Sequence, residues 1–130
     1  MITALDRRGF IAGAVALAAV PGAKAAAQGD GRMFGLIGKM RAVSGERDSL
    51  IALMLEGVGD MPGCLSYIVA RDPADGDGIW ITEVWDSRDS HRASLQLPAV
   101  QAVIARARPL VAGFEQGTET EPVGGVGLPR

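Results

Sequence analysis

The sequence predicts an α+β domain in which helices cover one face of a four-stranded sheet. Segments of alternating apolar and polar residues predict four strands, and segments with apolar residues three or four positions apart predict two helical regions. Stretches rich in Gly and Pro separate these segments. Their order along the chain is β-α-β-β-α-β, which within one sheet gives the ferredoxin-like arrangement.

The first strand is expected over residues 33–43. Phe34, Leu36, Gly38 and Met40 would share one side of it and Ile37, Lys39 and Arg41 the other, with both faces partly covered. Ser44 is a candidate N-cap for the first helix and Glu46 suits its first turn. The helix would end near Gly57 or Gly59, and its apolar positions are Leu50, Ile51, Met54 and Val58.

The middle of the chain predicts a β-hairpin. Residues 60–63 (DMPG) form a turn, and residues 64–71 (CLSYIVAR) are rich in strand-forming side chains. Residues 72–78 (DPADGDG) form a loop, and residues 79–86 form the third strand. Clustered Asp residues can bind Ca²⁺, but their spacing does not match the EF-hand pattern, so we expect a solvated loop and no metal.

The second helical region is expected to have two parts. Asp86 or Ser87 caps a helix that runs to about Leu97, and Pro98 begins another. Pro109 would tighten or end this helix in its last turn. Its apolar stripe comprises Val100, Val103, Ile104, Ala107 and Val111. A fourth strand over 114–121 and a Gly/Pro-rich tail over 122–130 complete the chain.

The N-terminus resembles an export signal. Two adjacent arginines precede an uncharged Ala/Gly-rich run that ends in an A-x-A-like segment. This pattern favours the twin-arginine route and periplasmic localisation, with residues 1–27 removed and 28–32 left as a linker. An uncleaved anchor or a misplaced start codon are the alternatives. Mass spectrometry of the exported protein should show an N-terminus after Ala25 or Ala27, and an intact Met1 would contradict cleavage.

Charge and cysteine content exclude several classes of function. Without residues 1–27 the chain carries 10 basic and 14 acidic residues, a formal charge of −4. A nucleic-acid partner would require a basic face, so none is expected. The single cysteine, Cys64, excludes an intramolecular disulfide and a multi-cysteine metal site, and we expect it to be a small buried hydrophobe.

Both tryptophans lie on the third strand, in the stretch GIWITEVWDS (78–87). Strand alternation places Glu83 and Trp85 on the helix side, with Ile79 and Ile81. Trp80, Thr82 and Val84 then lie on the other face, which needs a cover. A second copy of the sheet is the expected cover, which predicts a homodimer built as a dimeric α/β barrel.

Residues 61–104 resemble the antibiotic biosynthesis monooxygenase domain family, which includes small quinol monooxygenases. The matching motifs are residues 62–67 (PGCLSY), residues 83–85 (EVW), and Leu95 with Pro98. The resemblance extends over about residues 33–121, and residues 43–45 match the family's usual turn only in part. Many members carry a histidine immediately before the position of Leu95, where this chain has Ser94, and its only histidine is His91.

The resemblance implies a cofactor-independent monooxygenase that oxidises a quinol or polyphenol with O₂. Relatives that bind or degrade haem imply an alternative, a non-catalytic or haem-binding protein, and a structural protein with a vestigial cavity is a third reading. No nucleotide or flavin fingerprint appears in the sequence. The expected small molecules are therefore an aromatic substrate and O₂, without a bound cofactor.

Three residues are candidates for catalysis. Glu83 can act as a base if burial raises its pKa, Trp85 can stack on an aromatic substrate, and His91 titrates near neutrality. Tyr67 is a candidate hydrogen-bond donor, and Arg41 and Arg71 are candidates for holding an oxyanion. Each has a structural alternative: a core tryptophan bound to a satisfied glutamate, a surface histidine, a half-buried tyrosine and solvated strand ends.

Overall fold

The computed structural model describes residues 31–129, so the expected export signal lies outside the described residues. The elements in chain order are β1 (Phe34–Ala42), α1 (Arg47–Glu56), β2 (Cys64–Arg71), β3 (Gly78–Trp85), α2 (Arg88–Ser94), α3 (Pro98–Ala107), a 3₁₀ turn (Arg108–Leu110) and β4 (Val111–Thr120). None of the described helices is long and apolar enough to cross a membrane.

The sheet confirms the predicted ferredoxin-like α+β fold. Its strands are ordered β2-β3-β1-β4, and every neighbouring pair is antiparallel. β1 and β3 are central, and their inward side chains pack against α1 and α3. This core contains Met40, Ala42, Leu50, Met54, Ile79, Ile81, Ala107 and Val111. A smaller cluster of Phe34, Leu36 and Trp85 lies beside it, against Met61 and Cys64.

The predicted cap of α1 and the predicted helical position of Val111 are wrong, whereas Pro109 ends the helical region as predicted. Ser44 does not cap α1; Glu46 is the residue at the cap position, and its side chain makes no capping bond. Gly45 precedes it with φ +82°, a conformation that glycine adopts without strain. Val111 does not extend α3, because the 3₁₀ turn that contains Pro109 ends the helical region, and Val111 is the first residue of β4.

The structure shows which of the two predicted residues, Asp86 or Ser87, caps α2. Ser87 is the N-cap, and its side chain accepts a hydrogen bond from the Ser90 backbone N–H at 3.0 Å. α2 ends at Ser94, earlier than predicted, and the chain then turns into α3 at Pro98. This short helix places His91 beside Phe34 and Trp85, and both His91 and Ser94 are buried.

The loop over residues 72–78 is less solvated than predicted. Lys39 lies 2.9 Å from Asp72 and 3.3 Å from Asp75, with all three side chains largely shielded from solvent. Arg41 also pairs with Asp75, and Arg47 donates to the Asp75 carbonyl at 2.8 Å. The aspartates therefore neutralise basic side chains of β1. Among residues 31–129, no group of three or more His, Cys, Asp or Glu side chains could hold a metal ion.

Candidate active site

The alternation of β3 separates its two tryptophans as predicted. Trp85 is 1% exposed and faces the helices with Glu83. Trp80 is on the opposite face, where its indole N–H donates to Asp72 at 3.0 Å and Lys39 lies 5.8 Å from its ring. Trp85 is therefore part of the interior, and Trp80 is part of the outer sheet surface.

Glu83 is a buried carboxyl group with one hydrogen-bond donor beside it on the same strand. The Trp85 indole N–H donates to Glu83 Oε1 at 2.9 Å. Burial raises the pKa of Glu83 from 4.5 to about 7, and the Trp85 hydrogen bond offsets part of that rise. A carboxyl group with this pKa exchanges a proton near neutral pH, as a general base must.

His91 faces the same carboxyl group from α2. Its Nε2 lies 3.9 Å from Glu83 Oε1, too far for a direct hydrogen bond but within range of an ion pair when the imidazole is protonated. The ring is 5.3 Å from that of Phe34 and 5.4 Å from that of Trp85, the latter edge-on. His91 is only 3% exposed, so the surface alternative does not hold.

A small cavity lies between these side chains and the helices. It is partly open to solvent and lies between the end of α1, strands β2 and β3, helix α2 and the start of α3. Its lining residues are Met54, Gly57, Val58, Met61, Tyr67, Glu83, Trp85, His91, Ser94, Leu95, Val100 and Val103. The structure thus brings together four of the predicted site residues, Glu83, Trp85, His91 and Tyr67.

The volume of the cavity is about 30 Å³, enough for one or two water molecules. A cavity that admits a benzene ring has roughly 150 Å³, so an aromatic ligand requires its lining side chains to move. Met54 and Met61 suit this movement because methionine has three rotatable bonds and repacks easily. The cavity is therefore narrow and mostly apolar, and binding of an aromatic ring depends on movement of its lining side chains.

Two neighbouring groups on β2 have raised pKa values. Tyr67 is opposite Glu83 in the β2–β3 register, and burial, with the charge of Glu83, raises the pKa of its phenol well above 10.0. Burial also raises the pKa of the Cys64 thiol to about 11. Both groups stay protonated at neutral pH, so Tyr67 is a hydrogen-bond donor and Cys64 is a poor nucleophile.

The structure does not bring Arg41 and Arg71 to this cavity. Arg41 is on the outer face of β1, where it pairs with Asp75 and with Glu115. Arg71 ends β2 and donates to Asp48 at 3.0 Å, with both side chains exposed. Neither arginine is among the lining residues. They compensate nearby carboxylates, and we do not carry them into the proposed chemistry.

Sequence reasoning did not assign Ser94 to the site. Its hydroxyl donates to the His91 backbone carbonyl at 2.6 Å, and its side chain lines the cavity. His91, Ser94 and Leu95 are separated by three and four residues, so they share one face of α2. That spacing was the available signal, but a helix with so few apolar residues gives no clear indication of its inward face.

The family model for antibiotic biosynthesis monooxygenase matches residues 33–106. The chain belongs to the antibiotic biosynthesis monooxygenase family. A crystal structure from Chloroflexus aurantiacus J-10-fl that carries this family name is 64% identical, with a TM-score of 0.70, over 72% of this chain and 95% of that one. No curated protein matches the chain.

Two more distant solved structures that carry the family name share the fold. The one from Caulobacter crescentus CB15 is 18% identical with a TM-score of 0.66, over 72% of this chain and 92% of that one. The one from Nitrosomonas europaea is 12% identical with a TM-score of 0.62, over 73% of this chain and 92% of that one. At these identities the likeness concerns the fold alone.

Proposed function

We propose that this family member is a cofactor-independent monooxygenase that oxidises a quinol or related phenol with O₂. The observation that carries the proposal is the position of Glu83 on the cavity wall, with a pKa of about 7, beside His91 and Trp85. Glu83 would accept the phenolic proton, and His91 would stabilise the resulting charge. The phenolate would then be electron-rich enough to reduce O₂ directly.

The reaction balances without a separate reductant. A hydroquinone and O₂ give a hydroxyquinone and water, with one oxygen atom entering the ring and the substrate supplying all four electrons. The protein supplies deprotonation, orientation against Trp85 and exclusion of bulk water. The narrow cavity and the burial of His91 favour such a substrate over haem, whose macrocycle requires a far larger opening.

O₂ uptake across a panel of hydroquinones tests this proposal directly. We expect uptake above the autoxidation blank, and a fall of about 10²–10⁴-fold in the Glu83→Gln variant, because the amide accepts no proton. His91→Ala should also reduce the rate. Glu121→Gln is the matched control, since its side chain is 58% exposed and pairs only weakly with Arg32, at 3.8 Å. Folded protein that never exceeds the blank would refute the proposal.

We also propose that a second copy of the chain covers the outer sheet face. Ile37 is 37% and Ile68 is 54% exposed there, beside half-buried Trp80 and Val84, and monomers rarely leave such an apolar sheet face open. Packing two such sheets face to face gives a symmetric dimer of the dimeric α/β-barrel type. Export to the periplasm, expected from residues 1–27, remains part of the proposal.

Light scattering tests the dimer. Ile68→Glu should convert the dimer to a monomer, because it places a charge on each of two apposed apolar faces. Leu55→Glu is the matched control: Leu55 is 50% exposed but lies on α1, on the opposite side of the sheet. A monomeric wild type, or equal effects of the two variants, would contradict this interface.

A further inference from the structure

The cavity contains one acidic side chain and no fixed cation. Glu83 is its only carboxylate, and none of the described residues lining it is Lys or Arg. His91 is the only lining side chain that can become positive, and it already faces Glu83 at 3.9 Å. A ligand that carries its own fixed negative charge would therefore find no cation reserved for it.

Each arginine of α2 and α3 pairs with a carboxylate. Arg88 binds Glu119 through two hydrogen bonds of 3.0 and 2.8 Å, and its guanidinium lies 4.4 Å from the centre of the Phe34 ring. Arg106 of α3 pairs with Glu56 of α1 at 2.8 Å. Arg92 lies 3.7 Å from Asp89 on its own helix. Recruiting any of them for a ligand would break an existing pair.

The charge balance of the proposed reaction also disfavours an anionic substrate. When a neutral phenol gives its proton to Glu83, the carboxylate and the substrate together carry one negative charge before and after the transfer. A substrate with a carboxylate would add a second negative charge in a low-dielectric site, where like charges repel strongly. The protonated Tyr67 hydroxyl instead offers a neutral donor for a second substrate oxygen.

We propose that the cavity selects uncharged phenols and hydroquinones and rejects analogues that carry a carboxylate, sulfonate or phosphate. This inference rests on the proposed function, because it assigns the substrate class of the same site. The selection comes from Glu83 and from the absence of Lys and Arg among the described lining residues.

Anaerobic binding measurements separate this inference from catalysis, because no O₂ is present to react. In a Trp80→Phe background Trp85 is the only tryptophan, so its fluorescence reports on the cavity alone. The matched probes are 2,5-dihydroxybenzoate and its methyl ester, which share one ring and differ in charge. Methylhydroquinone serves as a second neutral probe. At about pH 8 Glu83 is mostly ionised.

We expect both neutral probes to quench Trp85 saturably and the carboxylate to bind about tenfold or more weakly. In the Glu83→Gln variant the 2,5-dihydroxybenzoate probe should bind nearly as tightly as its methyl ester, because the variant lacks the negative charge that repels it. Equal affinity for the acid and its ester, or no binding by either neutral probe, overturns the inference. Binding as expected without O₂ uptake would refute the monooxygenase proposal while the ligand class stands.

Discussion

The free energy of unfolding should fall by about 3 kcal/mol as the pH rises from 4.5 to above 7, through Glu83 alone. Burial raises its folded-state pKa, so the folded protein binds this proton more tightly than the unfolded chain does. Stability from a raised pKa is fully present below the unfolded-state value. It is lost as the pH approaches the folded-state value of about 7.

Comparison with Glu83→Gln isolates this contribution, because every other titrating group is the same in the two proteins. The amide keeps an oxygen that accepts the Trp85 N–H bond, but it does not titrate. We expect urea denaturation to give a variant more stable than the wild type at about pH 8, and close to it at about pH 5. The unfolding free energy of Glu121→Gln should depend on pH as that of the wild type does. If the unfolding free energy of Glu83→Gln showed the same pH dependence as both, a raised pKa of Glu83 would be contradicted.

This behaviour connects stability to the proposed chemistry. A carboxylate held in an apolar cavity costs folding free energy when it is ionised, and the same cost makes it a stronger base near neutral pH. A site that strained the fold less, by offering Glu83 more hydrogen-bond donors, would lower its pKa and its basicity together. Glu83→Gln should therefore gain stability and lose activity, the usual trade-off at functional sites.

The sequence predicted most of the fold because the central strands alternate clearly and α3 carries an apolar stripe. Period-two alternation on β3 placed Ile81 inward and Trp80 outward. The same alternation put Glu83 beside Trp85 inside the domain. Boundaries were harder to predict. Val111 continues the helical spacing, but Pro109 and the 3₁₀ turn end the helical region before it, and this effect of proline is local.

The site could be predicted only in part, because it depends on contacts between residues that are far apart in the sequence. Arg41 and Arg71 are cations near strand ends. Nothing in the neighbouring sequence shows that they form ion pairs with Asp75 and Asp48. His91 lies on α2, a seven-residue helix with little apolar pattern, so its burial depends on packing against Phe34 and Trp85. Sequence spacing shows that His91 and Ser94 share a face, but only the fold shows that this face is inward.

Replacing either tryptophan of β3 should have very different consequences. Trp85→Ala should cost about 3–5 kcal/mol, because it leaves a cavity among Phe34, Leu36 and His91 and removes the donor to Glu83. Trp80→Ala should cost about 1–2 kcal/mol, since Trp80 is half-buried on the outer face and loses mainly its bond to Asp72. Urea denaturation of both variants measures the difference, and equal costs would contradict the assigned faces.

Trp85→Phe separates the contribution of Trp85 packing from that of its hydrogen bond, and we expect it to fold even if the alanine variant does not. The phenyl ring retains most of the apolar contact but donates nothing to Glu83. We expect a cost of about 1–3 kcal/mol at about pH 8, where the lost bond served an ionised carboxylate, and a smaller cost at about pH 5. The pKa of Glu83 should rise further, which moves the acidic limb of the pH–rate profile to higher pH. A cost independent of pH would mean that the indole N–H does not stabilise the charged form.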